Sequence, residues 1–533
     1  MATQLNDWLS IDKASGTGNA EITLTASSYT ELVDRVISLK VQGISANAIL
    51  NVRQNAIVPS ATLDSYEITT YGGGTYTNGI TSNVPWTAVV NGNWITIDKT
   101  QGESGYTPLS ITLEDPTEAR NGSIVFNAEG VVLTLQIYQI YDLKKSYFWV
   151  EFEEANGTIS GLTNTYTDMY HSFDGSTWLT TPKTLSMGDN TLVYFKNNSK
   201  KIPNLKIKFN SNAKIGGDMS SIVDMAENCC KDIFDGNTFI TDASELILPW
   251  TTLANGCYGM MFQGCTSLTT APELPATTLA NGCYGMMFQG CTSLTTAPVV
   301  LPATTLTKEC YRGMFKNCTS LTKAPELPAT TLAERCYYGM FQGCSSLVNA
   351  PTLPATTLAG YCYYNMFSGC SSLVSAPELP ATTLAEWCYG GMFYICESLV
   401  IAPALPATTL ADNCYKDMFA VCKSLVYAPS ILPATTLANG CYYNMFITCL
   451  SLKKAPKLPA TTLVGGCYSG MFMDCKSLNY IKMLAINYRY DSLEGWTKNV
   501  ASSGTFIKHP DAANPPRGDS GIPHGWKVET ATE

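Results

Sequence analysis

Histidine is almost missing from this chain, with His171, His509 and His524 the three copies in 533 residues. None of them lies in the repeats, where the cysteines recur, so zinc-type clusters are unsupported. Charge is sparse too. Charged residues make up 14% of the chain and the net charge is −10. No run of Lys or Arg offsets it, so nucleic acid, whose binding needs clustered cations, is not an expected partner. No uninterrupted apolar stretch reaches the length needed to span a bilayer, so membrane insertion is not expected. The first residues, Met1-Ala-Thr-Gln-Leu-Asn-Asp-Trp8, have neither a basic n-region nor an apolar h-region, so the chain is expected to be made and folded in a cytosol.

What the chain has in excess is repetition. A leading cysteine recurs at Cys257, Cys283, Cys310, Cys336, Cys362, Cys388, Cys414, Cys441 and Cys467, a step of 26 residues that is twice 27. Self-similarity at such a period predicts a solenoid. The two longer steps come from one extra residue in Ala297-Pro-Val-Val-Leu-Pro302 and Ala428-Pro-Ser-Ile-Leu-Pro433. A degenerate copy at Cys229-Cys-Lys-Asp-Ile-Phe-Asp-Gly-Asn237 has Asn in place of the second cysteine, as a capping repeat would. Within a copy, Cys362, Tyr363, Met366, Phe367 and Cys370 fall at i, i+1, i+4, i+5 and i+8, the spacing of one helix face. The prolines of the following Ala-Pro-x-Leu-Pro limit any parallel strand there to two or three residues.

The 20 cysteines have no CxxC pair among them. Two cysteines eight apart on a helix are separated by about 12 Å of rise, beyond disulfide reach. They are read as small buried hydrophobes forming two ladders, with pairing between neighbouring copies left as the exception that an oxidising compartment would allow. No cofactor is implied.

Upstream the pattern alternates in strand-sized pieces. Trp8-Leu-Ser-Ile-Asp is answered by Trp94-Ile-Thr-Ile-Asp, Arg35-Val-Ile-Ser by Arg120-Asn-Gly-Ser, and Leu-Asn-Val-Arg-Gln54 by Leu-Gln-Ile-Tyr-Gln139. Two homologous sandwiches are therefore expected in tandem, the first without its opening strands and so with an open edge to be covered by a partner chain or the next domain. Residues 141–225 read as a further β-rich linking domain. Its Glu151, Glu153 and Glu154 have no histidine or second acidic cluster beside them and read as a solvated strand edge.

The pattern Trp86…Trp94-Ile-Thr-Ile…Arg120-Asn-Gly…Gln139 resembles a BACON domain, the immunoglobulin-like module of Bacteroidetes proteins and of the crAss-like phages that infect them. That resemblance implies carbohydrate or mucin binding through aromatic residues. Trp86 and Trp94, however, alternate with polar residues inside strands and read as sandwich core. Leu-Pro-Ala-Thr-Thr-Leu…Cys-Tyr…Met-Phe…Gly-Cys…Ser-Leu resembles BspA-like bacterial leucine-rich repeats, which implies surface recognition or adhesion and no enzymatic activity. The expected fold is multidomain: N-terminal all-β Ig-like sandwiches followed by a leucine-rich-repeat-like solenoid with short helices and short parallel strands. The boundaries are 1–56 (partial BACON-like sandwich), 57–140 (BACON-like sandwich), 141–225 (linking domain), 226–480 (capping repeat plus nine repeats) and 481–533 (C-terminal cap).

If the inward stripe is fixed, recognition must be carried by the variable positions. In the middle copies these are Arg335 and Tyr338, Tyr361 and Tyr364, and Trp387 and Tyr394, three or seven apart and so expected on one helix face. An aromatic patch with one Arg is suited to stacking sugars or anchoring a protein. The resemblances imply a virion structural protein, a fibre or tail-associated appendage. It would dock on other virion proteins through its sandwiches and display the repeat rod, as a homo-oligomer, to a host-surface glycan or protein. The alternative is a Bacteroidetes cell-surface adhesin or carbohydrate-binding protein. The missing leader favours the virion, because a cell-surface protein needs export.

Overall fold

The computed structural model describes residues 3–16, 21–28, 31–42, 47–70, 73–114, 116, 118–162, 168–199, 205–513 and 516–532. It divides into two compact units, Met1–Asp142 and Leu143–Glu533.

In the first unit, residues 57–140 form a sandwich. One sheet runs Ile95–Ile97, Gly105–Leu113, Gly74–Ser82, Ala61–Leu63; the other runs Gln101–Gly102, Trp86–Asn91, Arg120–Ala128, Val131–Gln139, Glu67–Thr70. Apolar residues alternate along these strands, and Ile80, Ile111, Ile124, Phe126, Leu135 and Ile137 meet between the sheets. Trp86 and Trp94 are both buried in this core.

The earlier module repeats half of that plan. Leu9–Ile11 pairs with Leu24–Ala26, and Arg35–Gln42 pairs with Asn47–Gln54 in the register Arg35↔Gln54 that matches Arg120↔Gln139. The same lock closes both modules. The Arg35 guanidinium lies 4.5 Å from the Trp8 ring and donates to Gln54 Oε1 at 2.7 Å. Arg120 lies 4.4 Å from Trp94 and donates to Gln139 Oε1 at 2.7 Å. Among the described residues, nothing in the first module stands where Ala61–Leu63, Glu67–Thr70 and Gly74–Ser82 stand in the second. Its inner face is accordingly bare: Leu50 is 42% exposed, whereas its counterpart Leu135 is fully buried.

The second unit begins with a six-stranded sheet in the order Leu179–Thr180, Met169–Ser172, Leu192–Asn197, Phe148–Phe152, Ala213–Asp218, Ile240–Ile247. The last two strands are parallel. Pairing then passes directly into the repeats through the Asp242↔Thr270 and Thr270↔Thr296 bridges. Asn237, where later copies carry a cysteine, is buried and donates to the Ile207 carbonyl at 3.2 Å, which ties the degenerate copy to the preceding domain. One core runs from Phe148 to Trp526.

Each repeat lies on the next. Tyr258 to Tyr468 form one column of stacked rings with centroids 5.5–5.8 Å apart and planes within 14°. Phe262 to Phe472 form another, at 5.5–5.8 Å and within 8°. The prolines leave single-residue parallel bridges in most copies, such as Thr331↔Thr357 and Asn349↔Ser375. In the longer 297–302 segment, Val299 stands 67% exposed and its carbonyl accepts from the Glu326 N–H of the next copy. At the far end Trp496 and Trp526 close the core, their indole N–H groups donating to Gly521 and Ala501 carbonyls.

The expected short helices are not there. In the 361–369 segment, alternate N–H groups bond backward by three residues and upward to the next copy. Tyr364 N–H bonds Tyr361 O at 3.2 Å and Met366 N–H bonds Tyr363 O at 3.1 Å, whereas Tyr363 N–H bonds Cys388 O at 3.0 Å and Asn365 N–H bonds Gly390 O at 2.9 Å. Every fourth residue is left-handed: Tyr361 at φ 56°, Asn365 at 53°, Gly369 at 76°. The element is a chain of tight turns with a period of four. An α-helix would turn its N–H groups beyond the first turn onto its own carbonyls; this arrangement instead sends alternate N–H groups to the next copy and joins the copies through backbone as well.

Candidate functional site

The cysteines come first, because 20 thiols recur through the repeats. All 20 are buried and unbridged. The second-column thiols serve as donors: Cys291 Sγ bonds the Phe262 carbonyl at 3.0 Å, and Cys370 Sγ bonds that of Phe341 at 3.2 Å. Burial pushes Cys265, Cys344 and Cys422 up to about 12, so these thiols stay neutral. Among the described residues no group of three or more His, Cys, Asp or Glu is placed to hold a metal, and no helix is long and apolar enough to cross a membrane. Glu151 pairs with Lys144 at 2.9 Å, and Glu153 accepts from Thr241 at 3.3 Å.

The variable positions do converge. Arg312, Arg335, Tyr338, Tyr361, Tyr364 and Trp387 line one open groove of about 310 Å³ on the repeat stack. It is built from two columns. Arg335, Tyr361 and Trp387 each precede a leading cysteine, and all three are left-handed, at φ 56°, 56° and 55°. Other copies place glycine there at Gly256, Gly282, Gly440 and Gly466, asparagine at Asn228 and Asn413, and glutamate at Glu309. A left-handed conformation costs a bulky residue about 1–2 kcal/mol. Four successive copies, Glu309 to Trp387, carry a residue other than Gly or Asn there, which marks the position in this stretch as held for its side chains rather than its backbone.

The ring faces in the groove are largely occupied by neighbouring side chains. Tyr361 lies between the Arg335 guanidinium at 5.1 Å and the Trp387 ring at 5.9 Å, inclined by 11°. The ammonium of Lys416 covers the far side of Trp387 at 4.8 Å. In the second column Tyr338 lies between Arg312 at 5.6 Å and Tyr364 at 5.0 Å. A Cβ at Gly390 would fall 2.9 Å from Cδ2 and 3.1 Å from Cε2 of Tyr364, so the glycine backbone runs close beside that ring. What the groove offers is ring edges, phenol hydroxyls and guanidinium nitrogens.

Its charges are partly paired. Glu309 contacts Arg312 at 3.2 Å and Arg335 at 3.7 Å; Glu334 contacts Arg335 at 3.2 Å and Lys308 at 3.0 Å. The Lys308 ammonium, bonded to Glu334, holds that carboxyl below the usual range. At the other end, burial raises the Asp417 carboxyl, and burial likewise raises the Tyr364 phenol.

The sequence reading placed Tyr394 with this cluster, and the structure does not. Tyr394 is 38% exposed and lies outside the groove. With four residues to a turn, seven residues from Trp387 is not the two full turns that a helix of period 3.6 makes it. Arg312 was missed. It occupies the Tyr338 and Tyr364 column one copy earlier, and extending that column by a single period would have found it.

Residues 3–55 and 84–139 match the family described as "BACON: Putative binding domain, N-terminal". The match covers what the two modules share, including the Trp–Arg–Gln lock, and the strands from Ala61 to Ser82 fall outside it. No curated protein matches the chain. Among solved structures, a Bacteroides ovatus GH5 xyloglucanase in complex with a XXXG heptasaccharide is similar at 18% identity and a TM-score of 0.16, over 17% of this chain. The chain spans 20% of that protein's length.

Proposed function

We propose that this chain is a non-enzymatic recognition protein. In this reading the BACON modules dock it, and the repeats display the groove formed by Arg312, Arg335, Tyr338, Tyr361, Tyr364 and Trp387 to a host-surface molecule. The observation that carries the reading is that groove. Arg335, Tyr361 and Trp387 stand in three successive copies at a left-handed position that the outer copies fill with glycine or asparagine, next to Glu309 in the copy before, and Tyr, Trp and Arg are the residues that dominate binding hot spots.

We class the repeats with BspA-like leucine-rich repeats in a solenoid. The support is the parallel bridging of successive copies and the buried leucine columns, such as Leu347, Leu373 and Leu399. The location we propose is a phage virion, as a fibre or tail-associated appendage assembled as a homo-oligomer. Support comes from the combination of BACON modules with such repeats, which resembles proteins of crAss-like phages. Several copies on one particle turn weak single contacts into firm attachment. Electron microscopy of intact particles tests this. Density for the chain projecting from the particle with the groove outward is expected; its absence, or a groove sealed against neighbouring proteins, refutes the proposal.

A further inference from the structure

The groove's chemistry narrows what it binds, given the reading above that it is the recognition surface. We infer that its partner is an acidic polypeptide segment. A sugar ring gains from an aromatic side chain by lying on its face, and here the faces of Tyr338, Tyr361 and Trp387 and one face of Tyr364 are taken by one another and by Arg312, Arg335 and Lys416, with Gly390 close beside Tyr364. What points outward is suited to carboxylates and peptide carbonyls.

The charge points the same way. On a chain of net charge −10, the groove wall carries two arginines and no carboxylate. Glu309 and Glu334 contact the arginines through Nη1. Among the described residues, the hydrogen bond that Arg312 makes to Glu309 leaves from Nη1, and neither arginine uses Nε or Nη2 as a hydrogen-bond donor. An incoming carboxylate therefore finds one free edge of each guanidinium, the geometry of a bidentate pair. The phenol hydroxyls of the groove can donate to backbone carbonyls of the same segment. Glu309 bridges both arginines and competes with the partner.

Fluorescence anisotropy of a labelled decaglutamate peptide, titrated with the full chain at low and high salt, tests this. Saturable binding that weakens with salt is expected. R335Q and R312Q should each weaken it roughly tenfold. E309Q, which removes the internal competitor and keeps the side-chain shape, should tighten it roughly threefold. No binding by the native chain, or binding indifferent to both R335Q and E309Q, overturns the proposal. So does competition by oligogalacturonate as strong as that by unlabelled decaglutamate, which would assign the groove to an acidic glycan. Loss of cell attachment by a Tyr361, Tyr364 and Trp387 triple-alanine variant, with no decaglutamate binding, removes the acidic-peptide assignment alone. Attachment retained by that variant removes the groove as the recognition surface.

Discussion

Gly369→Ala separates a chain of turns from a helix by the sign of its effect. Gly369 sits at φ +76°, and a Cβ there would lie 3.5 Å from the Gly343 Cα, an ordinary contact. Space is therefore not the issue. Holding alanine in the left-handed region costs about 1–2 kcal/mol, and the stiffer unfolded chain returns about 0.4–1 kcal/mol. The net expectation is a loss of about 1 kcal/mol. In a helix interior the same replacement would stabilise by about 0.5–1 kcal/mol. Urea titration of the full chain, read by hydrogen exchange in peptides spanning 362–373, gives the answer for this copy. Thr448 holds the equivalent left-handed position at φ 61°, so Thr448→Gly should shift its own copy in the stabilising direction. A raised midpoint for Gly369→Ala would refute the turn assignment.

Cys370→Ala removes a fully buried thiol and its bond to the Phe341 carbonyl, and should cost about 1–2 kcal/mol in the same titration. Arg120→Ala breaks both the Trp94 contact and the bond to Gln139, so protection of residues 84–139 should fall by about 2–3 kcal/mol. The pH response follows from the buried thiols. Burial raises Cys265, Cys344 and Cys422 to about 12, and it raises the stacked tyrosines Tyr284 and Tyr337 as well. Neutral groups favoured by the folded state contribute fully below the ordinary thiol range and lose that contribution as pH climbs from about 9 toward 12. Unfolding should be cooperative in that window, with tyrosinate absorbance near 295 nm rising in the same step as loss of circular dichroism. Tyrosinate appearing well before unfolding would count against the buried column.

Much of this architecture can be read from the chain because its copies check one another. The answering residues Trp8 and Trp94, Arg35 and Arg120, and Gln54 and Gln139 occupy equivalent places, and each trio closes the same lock. The inward stripe of Cys362, Tyr363, Met366, Phe367 and Cys370 is buried as its spacing requires. The helix was a misreading with a definable cause. Positions i, i+1, i+4, i+5 and i+8 fit a period of four as well as one of 3.6, and nine residues are too few to tell them apart. The deciding signal lay in the other residues: Gly or Asn at i−1, i+3 or i+7, as in Asn365 and Gly369 or Gly339 and Gly343, where left-handed backbone recurs. The same error put Tyr394 on the wrong face. That the groove's ring faces would be covered was not legible, because it depends on how neighbouring copies stack.

Attachment of the fluorescently labelled full chain to Bacteroidetes cells, native against the variant with alanine at Tyr361, Tyr364 and Trp387, tests the recognition account most directly. Saturable attachment by the native chain is expected, with its loss in the variant while both proteins keep the same hydrogen-exchange protection in the Tyr258–Tyr468 column. Equal attachment by the two proteins would contradict the account.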